Sequence, residues 1–234
     1  NPEHEGMPAD GPDRRFMAMP AYLGGRFRST GVKWYGSNTE NRKKDLPRSI
    51  HVFVLNDADT GAPKAIMSAN LLSAYRTGAV PGVGVKHLAL EDSRTVGIIG
   101  PGVMSRTIFD AALSQRPSIE EVKIKGRSPE STERVAAGFR EKYPQLKDVR
   151  IVDSEQEAIE GSDIVISGTS TSPDGPSGFP YFKREWIKPG ALLLMPAAAR
   201  LDDDFITSDE ANLVVDYRGL YSEWFHENGP VVTY

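Results

Sequence analysis

The sequence predicts an α/β protein: a doubly wound parallel sheet joined to a second, smaller α+β domain. Two observations carry this. From Arg94 onward, short apolar runs alternate with helical patterns, the rhythm of strands buried between helices. Before Leu90 the runs are strand-like and follow one another directly, with turn residues between them. The boundary between the two regions therefore falls near Leu90–Arg94.

Taken in order, residues 1–20 are rich in Pro, Gly and charge and read as a loop or a disordered lead-in. GVKWYG (31–36), SIHVFVLN (49–56) and PKAIMSA (63–69) read as strands. DADTGA between the last two suits a hairpin loop. A helix follows, capped by Ser68 or Asn70, with Leu71, Leu72, Tyr75 and Ala79 at helical spacing. Pro81, Gly82 and Gly84 are positions where it bends or breaks. RTVGIIG, EEVKIKG, DVRIVD and SDIVISG then read as strands. VMSRTIFDAALSQ, PESTERVAAGFREKY and SEQEAIEG read as the helices between them, with Pro129 suited to a first turn. ALLLM and NLVVD continue the strand series.

Composition narrows the function. The chain has 234 residues, 26% of them charged, and a net charge of −4. That balance favours neither nucleic acid nor an anionic membrane as a partner. No apolar run approaches the roughly 20 residues of a spanning helix. There is no cysteine, so disulfides, thiolate metal sites and a cysteine nucleophile are excluded. The four histidines, His4, His51, His87 and His226, lack metal-ligand spacing, so no metal is expected. A cytoplasmic location is the expectation.

Gly100-Pro101-Gly102-Val103-Met104-Ser105 has the form G-x-G-x-x-S between a strand and a helix. The first glycine permits a tight turn, the second lets a pyrophosphate approach the backbone, and the third place wants a small residue. The helix start then offers free N–H groups to phosphate. These are the parts of a Rossmann-type dinucleotide site. At the end of the next strand, an NAD site carries an acid for the ribose 2′-hydroxyl. Here the residues are Gly126, Arg127 and Ser128. A guanidinium and a hydroxyl suit a 2′-phosphate, so NADP(H) is the expected cofactor, with NAD(H) as the alternative.

GVKWYG, LPRS, VLNDADTGAPKAIM and the RTGA of Arg76–Ala79, ahead of the glycine turn, together resemble the ornithine cyclodeaminase/mu-crystallin family from about Met19 to Asp216. The resemblance implies a homodimer that transfers hydride between a nicotinamide and an amino acid, amine or imine. It implies a substrate/dimerisation domain over residues 1–92, a Rossmann domain over 93–216, and a segment over 217–234 that begins a return to the first domain. It places Lys33 at the substrate, Arg76 on a substrate carboxylate, and Thr77, Thr169 and Ala197 with Gly100, Pro101, Gly102, Val103 and Met104 among the cofactor contacts. The residue types agree: a planar guanidinium grips a carboxylate, and a lysine in a dry pocket can exchange a proton.

The sequence also departs from the pattern. In KPGALLLMPAAARLDDDF, Ala197 and Ala198 take the places of a glycine pair, and Ala199 takes that of a catalytic aspartate. Alanine moves no proton, so a ketimine or imino-acid reductase is weighed beside a cyclodeaminase, and a non-catalytic NADPH-dependent ligand-binding protein beside both. A partner subunit of an amine-metabolising system is a further option. Asp202 reaches the aspartate's place only through a register shift. Arg200 suits a second carboxylate or a cofactor phosphate. Trp34 and Tyr35 wall a pocket, or belong to the core or a dimer interface. The loop TSTSPDGPSGFPYF is long enough for a lid. Arg15, Arg26 and Arg28 are loose candidates for an early substrate arginine.

Overall fold

The computed structural model describes residues 14–169 and 178–228; most of the lid candidate lies outside these residues. The chain divides into two compact units, 1–74 and 75–234.

The first unit is a four-stranded antiparallel sheet. Its strands β1 (Arg14–Leu23), β2 (Ser29–Asn38), β3 (Ser49–Asn56) and β4 (Pro63–Ser68) pair in chain order. β1 takes up residues 14–20 of the stretch expected to be a loop, whose first thirteen residues lie outside the described ones. It pairs with β2 along its whole length, from Arg14↔Asn38 to Leu23↔Ser29. As an edge strand it tolerates Pro20, which cannot donate to a ladder. The β3–β4 hairpin turns as expected. Asp57 Oδ1 accepts the N–H groups of Asp59 and Thr60 at 3.0 and 2.9 Å, and Gly61 takes a φ of +76°.

Helix α1 (Asn70–Leu88) contains the division between the units. Asn70 does not serve as an end cap. Its Oδ1 accepts the backbone N–H of His51 at 2.8 Å and its Nδ2 donates to Ser49 O at 2.9 Å, tying the helix start to β3. The helix neither breaks nor ends at Pro81. Tertiary packing holds it. A Cβ on Gly78 would lie 2.6 Å from the Thr107 backbone, and one on Gly82 would lie 2.8 Å from Ala111 Cβ. The sequence boundary at Leu90–Arg94 and the division at Ala74 differ by this stretch, in which Val85 and Ala89 join the core of the second unit.

The second unit holds β5 (Thr95–Ile99), α2 (Val103–Gln115), β6 (Glu121–Lys125), α3 (Pro129–Lys142), β7 (Asp148–Ile151), α4 (Glu155–Ile159) and β8 (Ile164–Ser167). Then come β9 (Tyr181–Phe182), β10 (Leu192–Leu194), β11 (Arg200–Leu201), α5 (Asp203–Ile206) and α6 (Arg218–Asn228). Five strands form a parallel sheet of order β10-β8-β5-β6-β7, the doubly wound arrangement. β9 and β11 form a separate parallel pair. Asn212–Asp216 forms no strand, contrary to expectation; Leu213, Val214 and Val215 stand exposed and unpaired with the β10 edge. An apolar β-branched run alone does not make a strand when no partner ladder receives it.

One face of the sheet packs Ile98, Ile124 and Ile166 against Ile108, Phe109 and Phe139. The other packs Ile99 and Val165 with Ile159, Phe182 and Ala199. Asp110 binds three neighbours at once. Lys142 Nζ lies 2.7 Å away, Tyr143 Oη donates at 2.5 Å, and Tyr75 Oη donates at 3.3 Å. Burial, and then the carboxylate, push the Tyr143 phenol up to about 12.

Candidate functional site

The glycine turn lies at the carboxyl ends of β5 and β8, adjacent strands from which the sheet order runs in opposite directions, β5 to β6 on one side and β8 to β10 on the other. Such switch points are where open α/β sheets bind ligands. Gly100 adopts a φ of +78°, where a side chain is strained. A Cβ there would sit 2.9 Å from Gly168 C and from Thr169 Cα, so β8 closes one wall of the turn. Gly168 in turn admits no Cβ: one would stand 1.9 Å from Ser105 Oγ. That hydroxyl, fully buried, donates to Gly100 O at 2.7 Å and braces the turn.

The other wall is open. A Cβ on Gly102 would meet nothing within 4 Å, and Gly102, as the residue before α2, supplies no side-chain cap. The first N–H groups of α2, from Val103 to Ser105, are therefore available to an anion, reinforced by the positive end of the helix. Ser167 Oγ, buried one residue before Gly168, has no hydrogen-bond partner among the described residues. An unsatisfied buried hydroxyl of this kind calls for a ligand or a water. The turn thus fits a dinucleotide pyrophosphate: room on one side, donors at its floor, and a brace behind.

Where the adenosine ribose of such a ligand would lie, Gly126 directly follows β6. A Cβ on it would stand 1.9 Å from Thr132 Oγ1, so the packing of α3 excludes any acidic side chain here. Arg127 is exposed. Ser128 caps α3: its Oγ accepts the Ser131 N–H at 3.4 Å, which leaves its own proton to donate elsewhere. Thr77 stands one residue before Gly78, the point where α1 touches α2. Arg76, beside it, is exposed.

Ala197 and Ala198 lie just after β10 in half-buried positions. Ala199 is 2% exposed and packs with Ile99, Val165 and Phe182. Asp202 is held elsewhere. It accepts the Tyr181 hydroxyl and, at 2.8 Å, the Arg184 N–H, and these hydrogen bonds lower its carboxyl pKa. Arg200 stacks on the Tyr181 ring at 5.4 Å.

In the first unit, Lys33 occupies the middle of β2. Its Nζ approaches Ser73 Oγ at 3.5 Å and lies 5.0 Å from the Tyr35 ring centre. Tyr35 faces His51 across the ladder, with ring centres 5.1 Å apart, and His51 Nδ1 meets Asn70 Oδ1 at 3.3 Å. Strand alternation puts Trp34 on the opposite face, with Val52 and Ala18 as its neighbours. The two adjacent aromatic residues therefore do not wall one pocket. Arg28 pairs with Asp59 at 2.7 Å and Arg26 lies over Phe27. Sequence reasoning missed Tyr35, His51, Asn70 and Ser73 as a set around Lys33, because they come from three elements. It also missed the braces Gly168 and Thr132; in each case the only linear signal was a small or hydroxyl residue at an element end.

Among the described residues, no group of three or more His, Asp or Glu is placed to hold a metal, and no helix is long and apolar enough to cross a membrane.

Comparison with known proteins agrees with this geometry. Residues 1–233 match the ornithine cyclodeaminase/mu-crystallin family model. The N-((2S)-2-amino-2-carboxyethyl)-L-glutamate dehydrogenase of Staphylococcus aureus is 31% identical over 180 residues, 76% of this chain and 52% of that protein. The chain thus spans about half the length of that relative. The structure of Thermococcus litoralis Δ1-pyrroline-2-carboxylate reductase, in complex with NADH and L-proline, is similar at TM-score 0.70 and 34% identity, covering 79% of this chain and 54% of that one. An archaeal alanine dehydrogenase dimer with bound NAD is similar at TM-score 0.64 and 27% identity, over 78% of this chain and 55% of that one. The braced glycine turn, the doubly wound sheet and the whole-length match lead to one conclusion: the chain belongs to the ornithine cyclodeaminase/mu-crystallin family.

Proposed function

We propose that this chain is the nucleotide-binding and substrate-binding part of an NADP(H)-preferring oxidoreductase acting on a C–N bond. When bound, the nicotinamide exchanges a hydride with the α-carbon of an amino acid, amine or imine. Gly100, Pro101, Gly102, Val103 and Met104 hold the pyrophosphate, with Thr77, Thr169 and Ala197 as further cofactor contacts. Arg127 and Ser128 hold the 2′-phosphate. Arg76 grips a substrate carboxylate and Lys33 trades a proton with the nitrogen or a water.

The observation that carries the cofactor reading is the Gly126–Thr132 packing. It removes the acid that would repel a 2′-phosphate and leaves Arg127 at that end of β6. Titration of nicotinamide fluorescence tests it. NADPH is expected to bind at least tenfold more tightly than NADH, and Arg127→Gln to abolish the difference. Equal binding by the unaltered chain refutes the preference and leaves the fold untouched.

Ala199 favours imine reduction over cyclodeamination, because an apolar pocket surrounds it and no carboxylate takes its place. Turnover of cyclic and acyclic imino acids, with ornithine inert, is the expected pattern. Binding of NADPH without turnover of any imine would instead support the non-catalytic ligand-binding reading. The chain acts as a homodimer in this proposal. Support comes from the outer face of the antiparallel sheet, where Phe16, Tyr22, Trp34, Ile50 and Ile66 are exposed on one side, and from the dimeric alanine dehydrogenase.

A further inference from the structure

Arg106 stands four residues after Gly102, on the first turns of α2. Its backbone N–H donates to Gly102 O at 3.1 Å, and its Nε reaches the same carbonyl at 3.4 Å. The side chain is folded back toward the helix start, the direction in which helical side chains lean. The residue is exposed and makes no ion pair among the described residues. The open wall of the turn, at Gly102, lies at the carbonyl to which this side chain is anchored.

We propose that Arg106 is a pyrophosphate-binding residue of this chain: its Nε is fixed on Gly102, and its two terminal NH2 groups grip phosphate oxygens. The guanidinium suits the task because it is planar and always charged, and one edge can be anchored while the other binds. A lone helix N-terminus offers only partial charge; Arg106 adds a full one. The assignment deepens the nucleotide reading above and rests on it. It also separates two arginines by what they see. Arg106 meets the phosphates that NADH and NADPH share, whereas Arg127 meets the one that NADPH alone carries.

Fluorescence titration of the full chain with NADH and with NADPH separates the possibilities. Arg106→Gln is expected to weaken both dinucleotides by about tenfold and to preserve their ratio. Arg106→Lys keeps a point charge without the fork, and is expected to lose about threefold for each. The unfolding midpoint of either variant without nucleotide stays within experimental error of the unaltered chain, because the side chain is exposed. Less than a twofold change for both dinucleotides overturns the assignment. So does a loss confined to NADPH, which would move Arg106 to the ribose phosphate. If the unaltered chain binds neither dinucleotide, the nucleotide reading itself falls and takes this one with it. Normal binding by the unaltered chain and by Arg106→Gln alike removes only the role of Arg106.

Discussion

The two units bury their strands differently. In the parallel unit, Val96, Ile98, Ile99, Ile164, Val165 and Ile166 are no more than 1% exposed. In the antiparallel unit, Trp34, Phe16 and Tyr22 are 54%, 55% and 63% exposed. Helices cover both faces of a doubly wound sheet, so its core closes without help. An antiparallel sheet needs only one face covered within its own unit, and here the start of α1 serves the face that carries Lys33. The nucleotide turn is thus mounted on a finished core, while the proposed proton-transfer lysine is mounted on a sheet whose other face is apolar and open. Nucleotide affinity should therefore survive insults to the antiparallel sheet that weaken self-association.

The sharpest test of that contrast is Phe109→Ala. The ring is fully buried, stacked on Phe139 at 4.8 Å and edge-on to Tyr143 at 5.2 Å. Its loss should cost about 3–5 kcal/mol in urea unfolding. A cost below about 1 kcal/mol would mean that the parallel core tolerates cavities and is not the rigid mount described. Next in size is Gly100→Ala. The left-handed φ of +78° and the 2.9 Å approach to Gly168 should destabilise the turn by about 1–3 kcal/mol and weaken NADPH binding more than tenfold. Unchanged affinity would detach the turn from the nucleotide.

Trp34→Ser addresses the other side of the comparison. Sedimentation should show dimer affinity reduced by about 1–2 kcal/mol, with NADPH affinity unaltered. A monomer–dimer balance identical to that of the unaltered chain would show that the open face is not the interface. The smallest effect concerns acid stability. Burial raises the Asp163 carboxyl, but Lys188 and the N–H groups of Arg94 and Thr95 lower it further, and the net direction is down. A group depressed in the folded state stabilises above its unfolded value, about 4, and that contribution fades as pH falls through the lower folded value. Asp163→Asn should therefore flatten the loss of stability that sets in as pH falls below about 4. An unchanged acid limb would show that other carboxylates govern it.

The strands from β2 to β8 were readable because their apolar runs are short and bounded by turn residues, and the glycine turn because its spacing follows a strand and opens a helix. β1 was hidden by the Pro, Gly and charge that precede it, and by Pro20 within it, which only an edge position explains. Asn212–Asp216 misled for the opposite reason. Its composition is that of a strand, and pairing with β10 is what it lacks. Around Lys33, the register of β2 against β3 brings Tyr35 to His51, and the start of α1 adds Asn70 and Ser73; no spacing in the chain encodes that grouping.

Local chemistry, then, was set by the sequence itself. A glycine with no Cβ, a small third residue, a missing acid after β6 and an alanine where the family resemblance implies an aspartate are properties of single positions, and the proposed ligand and chemistry rest on them. Tertiary structure decided what depends on neighbours distant in the chain. Ser105 and Gly168 brace the turn, Thr132 closes the place of the acid, and Gly78 and Gly82 carry α1 unbroken through Pro81. The same packing holds Asp202 away from the position that Ala199 occupies. The physical reason is range. Side-chain type and backbone freedom act within a few residues, whereas close packing and hydrogen-bond satisfaction are settled between elements that meet only when the chain is folded.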